Sequence, residues 1–518
     1  MLNLLFLAGI IIKNLTTSSQ KIYLLVVFNC HCSCKLNLTL KEMKYLPIIY
    51  VRGYAGSDQD VEQTVADPFY GFNSGSAHIR VGVKGNPEQF FFESPLLRLI
   101  TDHGYRPVFD HHDQQLSKNP KSIWIYRFYD ETTLSFGSQV ATRLTIEQIA
   151  ERLRDLIKTV KAKTGANQVY LIAHSMGGLV CRSLMQKIYP ENNEQAIDHI
   201  DKLFTYGTPH GGIHFQIGGG VLEKIRDALR LNNSDDFGPR RMYEYLTPKT
   251  QQKVLLPDNF DAQSLNNAFP ADRVFCIIGT NARDYEAALG AAQRTVGPQS
   301  DGLVQIEKAY VKGSHRAYIY RTHGGRYGMV NSEEAYQNLQ RFLFGDIKVK
   351  LSLNQVELSD RKDTFYQMEV RSALRGLPVA IHEQAIDHYC PITLELTREK
   401  PIPLFTAFMV PSYSASGDGT CRYAIRLALH SFFKRDGWFG SQMDQVPLWS
   451  DYLIVDVTVL NGVYEAKYTW NYDSEEPHLP ITPNPNADGF IADIVLPERG
   501  QKVLGNEATV YVEIFPWQ

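Results

Sequence analysis

Strands that read as unbroken apolar runs, separated by helices with a 3.6-residue period, predict an α/β architecture: a mostly parallel sheet with helices on both faces. Beyond residue 346 the period changes to two, which predicts a C-terminal all-β, sandwich-like region. A third observation says where chemistry would sit. One apolar strand runs straight into a helix with Ser175 at the joint.

The first 42 residues differ in character from the rest of the chain. Leu2 to Ile12 and Tyr23 to Phe28 are apolar, but Lys13 comes after the first run instead of preceding it, and no small-residue cleavage site comes at a suitable distance. An atypical signal or anchor competes with an over-extended start of translation. The second is preferred because Met43 leads directly into a core strand ending in Ile48-Ile49-Tyr50-Val51. Residues 1–42 are therefore expected to lie outside the fold of a cytoplasmic protein. Secretion or membrane association is the alternative.

After the turn Arg52-Gly53-Tyr54-Ala55-Gly56, residues 57–118 are polar and Gly-rich, with a helix around Ser94 to Thr101. Ile123 to Phe128 is the next strand. Thr145 opens a helix, with Gln148 completing a capping box. Ile146, Ile149, Ala150, Leu153, Ile157 and Val160 give its apolar stripe, and Gly165 ends it. Further strands are predicted at Val169–Ala173, Lys202–Tyr206, Val274–Ile278 and Ala317–Tyr320. Asn331 and Glu334 then cap a helix carrying Tyr336, Leu339, Phe342 and Leu343. Residues 213–246 are long for a connection. With Val221, Ile225 and Leu229 at helical spacing they suit a cap or lid, one extra surface helix being the simpler reading. Alternation at Ile347, Val349, Leu351 and Leu353 opens the β region. Runs at Ile392–Leu396, Tyr423–Leu429, Tyr452–Leu460, Val463–Trp470 and Thr509–Phe515 continue it, without a strong helix. The expected division is 43–346 for the catalytic domain and 347–518 for an accessory β domain. A cut after Asp346 should expose little core.

Composition narrows the function. The 518 residues carry a net charge of −3, so there is no basic field for nucleic acid. No apolar run reaches the roughly 18 to 20 residues of a spanning helix. Seven cysteines, with no C-x-x-C pair, support neither a zinc knuckle nor a disulfide framework. Cys181 and Cys276 read as buried thiols, which suits a reducing compartment. Asp110-His111-His112-Asp113 resembles a ligand cluster, but adjacent imidazoles diverge, and a solvated loop is the better reading. No metal and no cofactor are expected.

The chemistry rests on Ala173-His174-Ser175-Met176-Gly177, a nucleophile elbow. Small residues two before and two after the serine permit the sharp turn. The helix N-terminus then offers free N–H groups beside the serine oxygen. An idle serine in a tight turn is the plainer alternative, and the strand–helix context argues against it.

With V-R-G-Y-A-G (51–56), A-H-S-M-G-G (173–178), Y-G-T-P-H-G-G (206–212), S-D-G-L-V (300–304) and T-H-G-G-R-Y-G (322–328), residues 43–346 resemble the α/β-hydrolases. The resemblance is to their lipase and esterase branch, including bacterial lipases and the relatives of GPI inositol-deacylases. It implies a Ser175, Asp301, His323 triad in the chain order this fold uses. Asp284, just after the Val274–Ile278 strand, competes with Asp301 on position. His315 precedes its strand and should sit at the opposite sheet end. His174 is expected to pack, and His210 to line the site without reacting. The oxyanion donors implied are the N–H groups of Tyr54 and Met176. Ala173 in place of Gly, and Arg52 in place of His, depart from the family pattern. Arg52 leaves the backbone donor intact and alters the local charge.

The resemblance thus implies a serine hydrolase acting through an acyl-enzyme on a carboxylic ester, with a lipid ester as substrate. Peripheral contact with a lipid surface fits that substrate. An acyltransferase using the same intermediate, and a silent binding protein on this fold, are the alternatives.

Overall fold

The computed structural model describes residues 45–517, apart from 54–63, 68, 71, 73–75, 82–86, 93, 109–117, 131–143, 214–236, 286–295, 362, 396–400, 415–416, 438–439, 461–462, 471–478 and 485–489. The expectations for residues 1–42, Tyr54, the Asp110–Asp113 motif and the helix of the lid fall outside the described residues.

In chain order the first region contains β1 (Ile48–Val51), β2 (Ser76–Val81), β3 (Pro87–Phe92), α1 (Pro95–His103), β4 (Arg106–Val108) and β5 (Ser122–Tyr126). It continues with α2 (Ile146–Thr164), β6 (Val169–His174), α3 (Met176–Ser183), β7 (Ile200–Tyr206), α4 (Pro239–Leu246), β8 (Val274–Gly279), β9 (His315–Ile319) and α5 (Glu333–Phe344). Seven strands form one sheet in the order β4-β5-β1-β6-β7-β8-β9, and every pairing is parallel. All four residues of β1 are buried, as the unbroken apolar run demands. The strand order reverses beside β1, with β5 on one side and β6 on the other. The crevice at the carboxyl ends of such strands is where α/β sheets bind ligands.

The local signals act as their chemistry dictates. Thr145 and Gln148 form the reciprocal capping box on α2, and Gly165 ends that helix in the left-handed conformation. Ser94 caps α1 by accepting from Leu97 N–H. On α5 the cap is Ser332, whose hydroxyl accepts from Ala335 N–H, and not Asn331. The antiparallel pair β2–β3 and the short strand β4 lie inside the stretch read as irregular; Pro107 within β4 hides its strand character.

The second region holds β10 (Ile347–Asn354), β11 (Thr364–Leu374), β12 (Ala380–Gln384), β13 (Ile392–Leu394), β14 (Ile402–Met409), β15 (Thr420–Gly437) and β16 (Gly440–Leu460). β17 (Val463–Trp470), β18 (Leu479–Pro480), β19 (Phe490–Val495), the helix α6 (Glu498–Leu504) and β20 (Thr509–Pro516) complete it. One antiparallel sheet runs β14-β10-β20-β19, and a second runs β12-β11-β15-β16-β17-β18 with β13 beside β11. Val349, Leu351 and Val512 from the first share a core with Val370, Ile425 and Val455 from the second. That is the all-β region the period of two predicts, with α6 as an addition.

One expectation is overturned. All 12 residues of α5 are buried, polar ones included, because the β region covers its outer face. Asn338 Nδ2 donates to the Ile381 carbonyl at 2.8 Å and Trp517 Nε1 to the Phe342 carbonyl at 2.9 Å. The Phe408 ring packs on Phe342 and on Trp517. Gln337, Asn338 and Arg341 look like a solvent face in sequence; they are an interface with its polar groups satisfied. A cut after Asp346 would expose core.

Candidate active site

Ser175 closes β6 and precedes α3. Its backbone sits at φ 52°, ψ −129°, a region a non-glycine residue enters only when its surroundings enforce it, at a cost of roughly 1–3 kcal/mol. Its N–H donates to the Tyr206 carbonyl at 2.9 Å, and its own carbonyl accepts from Thr208 Oγ1 at 2.8 Å. Both clamps come from the end of β7 and the turn after it. A Cβ on Gly177 would stand 2.3 Å from the Val51 carbonyl oxygen, so glycine alone lets α3 start this close to β1.

His323 comes after β9, and Asp301 lies on the connection between β8 and β9. His323 Nε2 stands 3.0 Å from Ser175 Oγ, and Nδ1 stands 2.8 Å from Asp301 Oδ2. With the Nδ1 proton directed at the carboxylate, Nε2 is left to accept from the serine hydroxyl. The other carboxylate oxygen accepts the N–H groups of Leu303 at 3.0 Å and Val304 at 2.7 Å, which fixes the rotamer. The two loops are also joined directly, since His323 N–H donates to the Asp301 carbonyl at 2.8 Å. All three side chains are buried, Asp301 almost completely at 1% exposure. Gly302, at φ 99°, makes the turn behind Asp301 and leaves space for Tyr285, whose ring meets His323 edge-on. Burial, and secondarily the Asp301 charge, push the Tyr285 phenol up, so it stays neutral.

The competing residues are placed elsewhere. Asp284 Oδ2 accepts from Asn281 Nδ2 at 2.8 Å, in a cleft beyond the histidine loop. His315, at the start of β9, lies at the opposite end of the parallel strands against Phe408 and Trp517, and burial pushes its pKa down to about 3. His174 Nε2 donates to the His323 carbonyl, 3.0 Å away. Burial, then the neighbouring His323, hold it well below the usual imidazole range, and it acts as a neutral strut. His210 is fully buried against Thr205 and Cys276. The cysteines Cys181, Cys276, Cys390 and Cys421 are buried and unpaired.

Two supports are not apparent from motif reading. Thr208 is one; it lies within the Y-G-T-P-H-G-G turn, but its hydroxyl bond to Ser175 has no local signature. The other is a buried ion pair. Arg321 Nε and Nη2 each stand 3.1 Å from a carboxylate oxygen of Glu334, pinning the segment between β9 and His323 to α5. Arg52 donates to the Thr64 hydroxyl, and Gly53 accepts at its carbonyl from the Tyr129 hydroxyl, so the two residues that follow β1 are also held. Met176 N–H is the first amide of α3 and has no acceptor within the helix. The assembly can therefore deprotonate a buried hydroxyl, stabilise the imidazolium formed, and offer at least one amide to a developing oxyanion. Among the described residues no group of His, Cys, Asp and Glu is arranged to hold a metal ion, and no helix is long and apolar enough to cross a membrane.

This is the α/β-hydrolase fold with an antiparallel β region appended. Residues 42–226 match the family described as PGAP1-like alpha/beta domain. Comparison with curated proteins gives no match. Among solved structures, a lipase from Bacillus licheniformis is 15% identical over 56% of this chain and 89% of its own, with a TM-score of 0.28. Phospholipase PlaB from Legionella pneumophila is 10% identical over 78% and 89%, with a TM-score of 0.31. An esterase from Pyrococcus furiosus is 12% identical over 58% and 82%, with a TM-score of 0.26. Likeness at that level carries no substrate from one protein to another.

Proposed function

We propose that this chain, with its PGAP1-like α/β domain at residues 42–226, is a serine hydrolase of carboxylic esters and that its substrates are lipid esters. The observation that carries the reading is the buried line Ser175 Oγ, His323 Nε2, Asp301 Oδ2, with separations of 3.0 and 2.8 Å. Ser175 Oγ attacks the acyl carbonyl carbon as His323 Nε2 takes the hydroxyl proton. The carbonyl oxygen becomes an oxyanion facing Met176 N–H, with Tyr54 N–H as the second donor. Collapse breaks the ester C–O bond, and His323 returns its proton to the departing alkoxide, releasing an alcohol. Water, deprotonated in turn by His323, then attacks the acyl-enzyme and frees the acid and Ser175. Asp301 stays ionised throughout and stabilises the imidazolium.

Lipid as substrate rests on the motif resemblance. A fluorophosphonate probe should label the full chain, and Ser175→Ala should abolish labelling. p-Nitrophenyl esters of increasing acyl length, and then phospholipids, would place the substrate. Absence of labelling would sink the hydrolase reading. Accumulation of acylated glycerol, at the expense of free acid when glycerol is added, would favour acyl transfer.

A further inference from the structure

Downstream of α4, a loop presents aliphatic side chains to solvent from a backbone that is firmly held. The Gln252 amide donates to the carbonyls of Glu244 and Thr247 at 2.6 and 2.8 Å. Lys253 N–H donates to the Tyr243 hydroxyl at 2.8 Å, and Arg240 Nη1 to the Val254 carbonyl at 2.8 Å. Lys249 N–H donates to Glu191 Oε1 at 2.7 Å. Even so, Val254 and Leu255 are 90% and 80% exposed, the highest values for large hydrophobic side chains among the described residues. Single exposed aliphatics are ordinary; two adjacent ones, raised on a pinned loop, are not.

The charge around them is mainly positive, with Glu244 and, at the Lys249 amide, Glu191 as acidic neighbours. Between Pro239 and Pro257 stand Arg240, Arg241, Lys249 and Lys253 against Glu244, in a chain whose net charge is −3. Arg240 pairs with Glu244 and Arg241 with Glu147, and among the described residues no ion pair engages Lys249 or Lys253. Asp258 lies on the far side of Pro257. Exposed aliphatic side chains flanked by ammonium groups match the boundary of an anionic bilayer, where acyl chains meet phosphates.

We propose that the Lys249–Leu255 loop docks on an anionic lipid surface, with Val254 and Leu255 entering the acyl boundary and Lys249 and Lys253 facing the phosphates. The loop belongs to the insertion between β7 and β8 that opens at the Y-G-T-P-H-G-G turn beside Ser175. Docking there tethers that insertion to the surface. The purpose of such docking rests on the lipid-ester reading; its existence does not.

The test uses the full chain carrying Ser175→Ala, so that hydrolysis cannot alter the vesicles, and sucrose-loaded vesicles of phosphatidylglycerol and phosphatidylcholine in equal parts. Sedimentation should show binding that weakens with salt and with falling phosphatidylglycerol content. Val254→Asp with Leu255→Asp should weaken it roughly tenfold or more. Lys249→Gln with Lys253→Gln should weaken it and flatten the salt dependence. With Ser175 restored, the Asp double variant should hydrolyse a soluble ester at the unaltered rate, which also shows that it folds. No vesicle binding by the parent, or equal binding by a folded Asp double variant, overturns the proposal. So does self-association of the parent that the Asp variant abolishes without any vesicle binding, because the loop then serves a second copy. Vesicle binding without hydrolysis of any lipid ester leaves the docking intact and removes the lipid-substrate reading.

Discussion

The indole N–H of Trp517 donates to the Phe342 carbonyl at 2.9 Å, so the strand-rich C-terminal region closes over the last helix of the parallel-sheet region. Asn338, on the same helix, donates to the Ile381 carbonyl, and Phe408 packs against Phe275 on β8. The hydrolase core itself includes Phe408 and Trp517. A 43–346 fragment is therefore expected to be insoluble or molten, measured as soluble yield and near-UV circular dichroism. A soluble fragment with full activity on small esters would show that α5 tolerates exposure of its outer face.

Ser175→Ala and His323→Ala should each lower kcat by about 10⁴ or more while leaving the thermal midpoint nearly unchanged. Both side chains touch the reacting atoms, and neither fills a large volume. His315→Ala should leave turnover per folded molecule intact, since its ring lies against Phe408 and Trp517 at the other end of the strands. Near-normal turnover of His323→Ala would reassign the base.

Asp301→Asn should cost several orders of magnitude in kcat, because the amide cannot hold the imidazole in the required tautomer. Asp284→Asn should cost little, its carboxylate being engaged by Asn281 and not by His323. Steady-state kinetics on one soluble ester decide between them, and the reverse ranking would move the acid to Asp284.

Much of this site is legible in the sequence, for reasons that are local. The elbow needs a strand, a small residue, serine and a helix start in succession, and short-range sterics write that pattern into Val169–Gly177. His323 is legible because its strand ends just before it. Asp301 is less so: it stands 22 residues after β8, and only the geometry of the intervening loop brings it to Nδ1. Thr208 and the Arg321–Glu334 pair are invisible to pattern reading, since each joins elements whose proximity is a tertiary fact. The burial of α5 misled for the opposite reason. Its period of 3.6 shows a polar face, and nothing in one sequence distinguishes a solvated polar face from one satisfied across an interface.

Thr208→Val keeps the shape of the side chain and removes the hydroxyl that donates to the Ser175 carbonyl. The loss should destabilise the protein by about 0.5–1.5 kcal/mol, the net value of one hydrogen bond, because the carbonyl keeps the Gly178 N–H at 3.0 Å. Because that carbonyl belongs to the strained residue of the elbow, kcat should fall roughly tenfold or more, as misplacement of a reacting group does. Thr208→Ser should restore both quantities. A variant that loses stability but retains kcat would make Thr208 a packing residue only.

Protonation should weaken the fold at mildly acidic pH through histidines buried in the neutral form. Burial pushes His382 down to about 4 and His315 to about 3, from an ordinary value of 6.5. In the unfolded chain both regain the ordinary value, so between pH 6.5 and about 4 the unfolded state binds more protons than the folded one. Stability therefore falls as pH falls through that window, and these groups contribute no slope above it. Each fully mismatched histidine adds at most about 1.4 kcal/mol per pH unit. Urea unfolding at pH 7.5, 6.0, 5.0 and 4.5 should show midpoints that drop progressively below about pH 6.5. His382 packs between Tyr318 and Phe405, and its Nε2 lies 3.2 Å from Gln384 Oε1. His382→Phe should thus flatten the slope by about one histidine's share while leaving the unfolding cooperativity unchanged. An unaltered slope in that variant would mean the ring is protonated in the folded state, with a counter-charge supplied from its surroundings.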